Sequence, residues 1–222
     1  MFRSGVIFIL AVGLLAVVFP SETQIQATPG GEIKLYPSLW DSFDPVLKST
    51  LEKRLKQKAG SAFQQMVWTE KVGVVVVDIT NEMRPKVAGI HPDVMLYAAS
   101  LPKIAIALGA FVKIDQGTMF LDSYLKSQLT NMIRNSSNEA ASAVLYIVGL
   151  EDLAAILQSD RYRLYDQQRN GGLWVGKNYS GGAVWKRDPL HNLTHGATAM
   201  QAARLYYLAV TGRLVKKEHR AD

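Results

Sequence analysis

The sequence predicts an α/β domain in which helices pack on an antiparallel sheet, and three observations carry that expectation. Val72 to Thr80 is a continuous β-branched run of strand length, and after a turn at Asn81 to Pro85 a second short strand falls near Lys86 to Ile90, which reads as a hairpin within a buried sheet. Leu101 to Ile114 is apolar around its whole circumference (Ile104, Ala105, Ile106, Leu108, Ala110, Val112), the mark of a helix enclosed by its domain rather than one lying on a surface. Amphipathic helical patterns precede and follow these two elements, so sheet and helices share one core. With 222 residues, 48% hydrophobic and 20% charged, the chain suits one domain with appendages better than two full domains.

Residues 1–27 read as an address. Arg3 precedes an apolar stretch from Gly5 to Phe19 that Pro20 and a polar run from Ser21 terminate, the layout of a secretory signal. The stretch is short for a membrane span, which needs about 20 residues. Ile25-Gln26-Ala27 offers a small residue only at its last position, so retention as an N-terminal membrane anchor is the alternative to cleavage. Either way the expected location is exported: periplasm, cell envelope or secreted. Residues 28–222 are then the domain proper. Beyond Gly30-Gly31, Asp44-Pro45 is a cap with a first-turn proline, and Val46, Leu47, Leu51 and Leu55 recur at helical spacing up to Gly60.

After the apolar helix, helices are expected at about Leu121 to Arg134, Glu139 to Val148, Glu151 to Gln158 and Ala197 to Thr211, the last ending at Gly212. Arg161 to His195 is weakly patterned and glycine-rich, and a stretch that long is either a functional lid or disordered. Within it Trp174 and Trp185 fit pinning the loop to the body better than lining a groove.

Charge and composition narrow the function. The formal net charge is +6, from 25 Lys and Arg against 19 Asp and Glu, yet the only dense basic run is Lys216, Lys217, His219, Arg220. No basic face interleaved with aromatics is visible, so no nucleic-acid partner is expected. Zero Cys excludes disulfides, a thiol nucleophile and thiolate metal sites. His191 and His195 are four apart, but Pro189 and Asn192 place them in a loop with no third ligand. Neither a metal nor any other cofactor is expected.

Chemistry gathers at the start of the apolar helix. In Ser100-Leu101-Pro102-Lys103 a hydroxyl and an amine lie three apart, so in a helix they share a face. A serine becomes a nucleophile when a base takes its proton, and a lysine serves as that base when burial lowers its pKa. The pattern alone is weak, since it recurs as Ser123-Tyr124-Leu125-Lys126, on a helix whose apolar stripe (Leu121, Tyr124, Leu125, Leu129) turns that serine and lysine to water. Ser136-Ser137-Asn138 falls at the junction of the next two helices, where a hydroxyl and an amide two apart project to one side of a turn. Each of these serines and the asparagine also fits a simple helix cap.

Ala99-Ser100-Leu101-Pro102-Lys103-Ile104-Ala105 resembles the nucleophile motif, and Ser136-Ser137-Asn138-Glu139-Ala140-Ala141 the second motif, of the penicillin-recognising serine hydrolases, which include class A β-lactamases and D-Ala-D-Ala peptidases. The order of elements is similar too, over roughly residues 34–215. The resemblance implies a β-lactamase-like fold with its C-terminal strands missing, because Lys followed by Ser or Thr and then Gly, the family's third motif, occurs nowhere in the chain. It further implies that Ser100 is acylated, that Lys103 is its base, that Ser136 relays a proton and that Asn138 contacts the substrate amide. The implied substrate is a β-lactam or a peptidoglycan-type peptide. A catalytically impaired remnant or binding module of the same fold is the alternative. Ser137 stands where class A enzymes have Asp, and no Glu occurs between Glu151 and Glu218, where class A enzymes carry the residue that activates water. Asp166, four residues before Asn170, is the one stand-in, and hydrolysis of the acyl-enzyme is expected to be slow.

Overall fold

The computed structural model describes residues 37–81 and 84–215, together with the backbone of four short strands nearer the N-terminus. Those strands are β1 (Ile7–Ala11), β2 (Leu14–Val18), β3 (Gln26–Ala27) and β4 (Ile33–Lys34). The rest of the expected export segment, like the basic run at Lys216 to Arg220, lies outside the described residues. Helix α1 (Pro45–Lys58) starts as expected: Asp44 caps it by accepting from the Leu47 N–H at 2.6 Å, and Pro45 occupies the first turn. A further short helix, α2 (Ser61–Trp68), follows where the apolar spacing was too brief to register.

Strands β5 (Gly73–Asp78) and β6 (Lys86–Ile90) form the expected antiparallel hairpin, with Val74 opposite Ile90 and Val77 opposite Val87. Val74, Val75 and Val77 are all fully buried, so both faces of β5 are covered, which is why its sequence is continuously apolar rather than alternating. The four-stranded sheet runs β1-β2-β5-β6; β2 lies parallel to β5, a pairing that a connection containing α1 and α2 is long enough to make. Helix α1 packs against β6.

After β7 (Leu96–Tyr97) comes α3 (Lys103–Asp115), none of whose residues is exposed, as its all-round apolar sequence requires. It packs against α5 (Asn138–Val148) and α6 (Leu150–Gln158), while α4 (Ser123–Arg134) lies against α5. Gly109 permits this closeness: a Cβ there would stand 2.9 Å from Val148 Cγ1 and 3.0 Å from Leu153 Cδ1. Short strands β8 (Tyr165–Asp166) and β9 (Gly171–Gly172) pair with each other, and β10 (Trp174–Val175), β11 (His195–Ala197) and β7 form a three-stranded sheet. The last helix, α7 (Ala199–Val210), is capped by Thr198, lies against β2 and β5, and stops just before Gly212. Among the described residues no single helix is long and apolar enough to cross a membrane.

Candidate active site

β7 delivers the chain to Ser100. It pairs with β11 (Tyr97 opposite Gly196), and beyond it the Ala98 N–H donates to the His195 carbonyl at 3.1 Å. The chain then turns sharply, with the Leu101 N–H on Ala98 O at 2.9 Å and the Lys103 N–H on Ser100 O at 3.2 Å. Ser100 is therefore exposed on a turn, not inside the helix as the spacing suggested, because Pro102 supplies no N–H and serves as the helix N-cap at φ −65°. The three-residue separation still brings Ser100 and Lys103 to the two ends of one hydrogen-bonded turn. Ala99 has φ 45°, a left-handed conformation that costs a residue bearing a Cβ about 1 kcal/mol and persists only where neighbours impose it.

Lys103 is rooted in the buried helix and only 2% exposed. Its Nζ donates to Ser136 O at 2.5 Å, to Ser136 Oγ at 3.2 Å and to Asn138 Oδ1 at 2.8 Å. An ammonium has three donors, and all three go to the Ser136-Ser137-Asn138 turn. Burial pulls the Lys103 pKa below its ordinary value, while the negative charge of Glu139 at the start of α5 opposes the shift.

The second segment is shaped for this grip. Ser136 has φ 53°, which turns both its carbonyl and its hydroxyl toward Lys103. Ser137 faces away: its Oγ caps α5 by accepting from the Ala140 N–H at 3.1 Å. A capping oxygen is what that position requires, so Ser serves there as well as Asp. Asn138 is the first residue of α5, and Ser142, one turn later on the same face, accepts from the N–H groups of Tyr179 at 3.0 Å and Ser180 at 2.9 Å.

Tyr179 and His195 are the site residues that motif reasoning missed. Lys103 Nζ lies 4.9 Å from the centre of the Tyr179 ring, and the Tyr179 hydroxyl donates to Ala99 O at 3.2 Å. The same ring stacks on His195, with centres 4.2 Å apart and planes 6° from parallel. His195 is 2% exposed and neither ring nitrogen completes a hydrogen bond among the described residues. Burial, then the charge of Lys177, lowers its pKa from 6.5 to about 4, so the ring is neutral near pH 7. The stretch from Arg161 to His195 is thus an ordered loop: Lys177 bridges Val184, the buried Trp174 donates to Lys186 O at 3.0 Å, and Trp174 stacks on Trp185.

The remaining candidates lie apart from this constellation. Ser123 and Lys126 are exposed on the outer face of α4. Asp166, 8% exposed, accepts from Arg163 at 2.6 Å and from the Gln168 N–H at 3.0 Å, so its carboxylate is committed to its own loop and shares no partner with Lys103. Asn170 likewise turns to the Asp93 carbonyl. His191 sits in the turn that Asp188 caps, while His195 is in β11, so the two imidazoles share no helical face.

No protein-family model and no curated protein sequence matches the chain. Two solved structures are similar to it in fold. One is an ancestral class A β-lactamase, at TM-score 0.54 and 18% identity over 79% of this chain. The other is a variant of the class A β-lactamase of the last common ancestor of Gram-negative bacteria, at TM-score 0.52 and 18% identity, again over 79% of this chain. The chain spans 68% and 66% of their lengths, respectively.

Proposed function

We propose that this chain, which carries the fold of the class A β-lactamases, is an exported serine acyl-transferring protein acting on β-lactams or peptidoglycan-type peptides through an acyl-enzyme at Ser100. The observation that carries the reading is that one buried amine, Lys103 Nζ, ties the Ser100 turn to Ser136 and Asn138. Ser136 and Asn138, 33 and 35 residues beyond the lysine, bring to it the hydroxyl and amide that an acyl transfer needs. In the first step neutral Nζ takes the Ser100 Oγ proton, the Oγ–C bond forms, and the Ser100 N–H stabilises the developing oxyanion. The C–N bond then breaks as Ser136 Oγ hands its proton to the leaving nitrogen, and Lys103 restores that proton to Ser136. Asn138 orients the substrate amide.

Turnover is the slow half of this cycle. The Asp166 carboxylate is held by Arg163 rather than directed to Lys103, so it is not placed to activate water on the acyl-enzyme. The second reading, a binding module without chemistry, has one observation in its favour: all three Lys103 hydrogen bonds go to Ser136 and Asn138, and none to Ser100. The composition of the N-terminal apolar segment, two stretches of which form β1 and β2 with β2 beside β5, is that of an export signal, and a fusion to a periplasm-dependent reporter tests whether it acts as one.

Incubation with a fluorescent penicillin followed by intact-mass analysis separates the readings. A stoichiometric adduct that persists for minutes or longer, lost in Ser100→Ala and kept in Ser123→Ala, is expected. Reversible binding with no adduct would establish the binding module, and an adduct retained by Ser100→Ala would overturn the site.

A further inference from the structure

We infer that Tyr179 is the positioning residue of this site, one side chain that ties the nucleophile turn down at its hydroxyl and covers the base with its ring. As a role in catalysis this rests on the acyl-transfer reading, but the two contacts are physical facts that can be measured without any substrate. The hydroxyl donates to the carbonyl of Ala99, the left-handed residue whose conformation sets the direction of Ser100. The ring lies 4.9 Å from the Nζ of Lys103, which Ser136 and Asn138 also hold and which is 2% exposed.

The mounting of Tyr179 is built rather than incidental. Its backbone N–H, and that of Ser180, are both pinned by Ser142 on α5, the helix whose first residue also holds Lys103. The His195 ring supports it by parallel stacking, and His195 is itself fixed in β11 beside β7, the strand that leads to Ser100. The nucleophile turn, Lys103, α5 and β11 therefore all meet at the one residue Tyr179, through its hydroxyl, ring and backbone. A neutral imidazole suits this place, because a charged one would face both Lys103 and Lys177.

The ring acts on Lys103 in two opposed ways. It attracts the cation, which favours protonation, and it excludes water, which disfavours it. Lys103 is 2% exposed with the ring 4.9 Å from its Nζ, and burial lowers its pKa, so the effect we assign to the ring is chiefly the exclusion of water. Removing the ring must then raise the Lys103 pKa, whereas removing the hydroxyl alone must leave it in place and loosen the turn.

The test uses the full chain with 13C-labelled lysine and amide hydrogen exchange. Wild type should show one lysine titrating below the others, assigned through Lys103→Met. In Tyr179→Phe that titration should be unchanged while the Leu101 amide, which is bonded to Ala98 O, exchanges about three- to tenfold faster. In Tyr179→Ala the titration should move up by at least half a unit. A Lys103 titration that stays put or falls in Tyr179→Ala, or a Leu101 amide unaffected by Tyr179→Phe, would overturn the inference. The acylation reading has its own readout: with both physical effects present but no penicillin adduct in wild type, that reading fails and this one stands as a structural device. Where an adduct forms, Tyr179→Phe should slow acylation several-fold without moving its pH profile, and Tyr179→Ala should move the profile upward.

Discussion

Replacing Lys103 by Met removes the amine while filling the same space, and the structure sets opposite expectations for rate and stability. Loss of a positioned general base costs about 10²- to 10⁴-fold, so acylation of Ser100 should fall by at least a hundredfold. Stability should barely change. Three hydrogen bonds to a charged group are lost, each worth roughly 1.5–3 kcal/mol, but the cost of burying an ammonium, several kcal/mol, is removed with them. Ser136 and Asn138 are exposed residues, so water can take up the freed oxygens. The net effect should stay within about 1 kcal/mol, a melting shift of a few degrees for a chain of this size. The pH dependence has a definite sign. Between its lowered pKa and the ordinary 10.5, Lys103 holds fewer protons folded than unfolded. Wild-type stability therefore rises with pH across that window, and Lys103→Met should flatten the rise. Stopped-flow acylation and denaturant titration at several pH values measure both. A variant that unfolds, or loses more than about 3 kcal/mol, would show Lys103 to be structural, and one that acylates within threefold of wild type would show it is not the base.

His195→Phe keeps the stack on Tyr179 and sacrifices no completed hydrogen bond, so it should fold normally. Because the His195 pKa drops from 6.5 to about 4 on folding, wild type should lose up to about 3 kcal/mol as pH falls through that interval; denaturant titrations of His195→Phe should show a shallower loss. Gly172→Ala should be severely destabilising, by about 3 kcal/mol or more, since φ there is 149° and the added Cβ would lie 2.1 Å from Leu164 O; a melting curve near wild type would refute this. Asp166→Asn should cost about 1 kcal/mol, through the half-exposed Arg163 pair, and leave the lifetime of the acyl-enzyme unchanged, whereas a longer lifetime would identify Asp166 as the group that activates water.

The elements whose sequences have one physical solution were legible before the structure. Val72 to Thr80 had to be a covered strand and Leu101 to Ile114 an enclosed helix, and the described residues show both within a residue or two of the expected ends. Ser100, Lys103, Ser136 and Asn138 carried local signals, and the structure brings the last three into direct contact. What stayed hidden was conformation and distance. Nothing in Ala99 announces φ 45°, and nothing in Pro102 says that the helix waits until Lys103. Tyr179 was invisible because Ala99 and Lys103 are more than 70 residues away in chain order, and His195 was read only beside His191, because their loop has no periodicity to show that it stacks on Tyr179. The one available sign was compositional: a long loop rich in aromatics spends them on the body of the domain, and here Trp174 does so by burial in the core and Tyr179 by its bond to Ala99.

The enclosure of α3 is the link from sequence to chemistry. Because no residue of that helix is exposed and Lys103 itself is only 2% accessible, an amine at its first position is solvated mainly by protein. Glu139, the carboxylate whose charge acts on it, makes no hydrogen bond to Nζ, so neutral oxygens from Ser136 and Asn138 do the solvating. Neutral partners hold an ammonium less firmly than a carboxylate does, which is the condition under which a lysine gives up and recovers a proton within a working pH range. A carboxylate in their place would lock the charge. The all-round apolar sequence of one helix and the amide and hydroxyl of a short turn together specify a buried amine held by neutral oxygens, the arrangement that the proposed base requires, and neither specifies it alone.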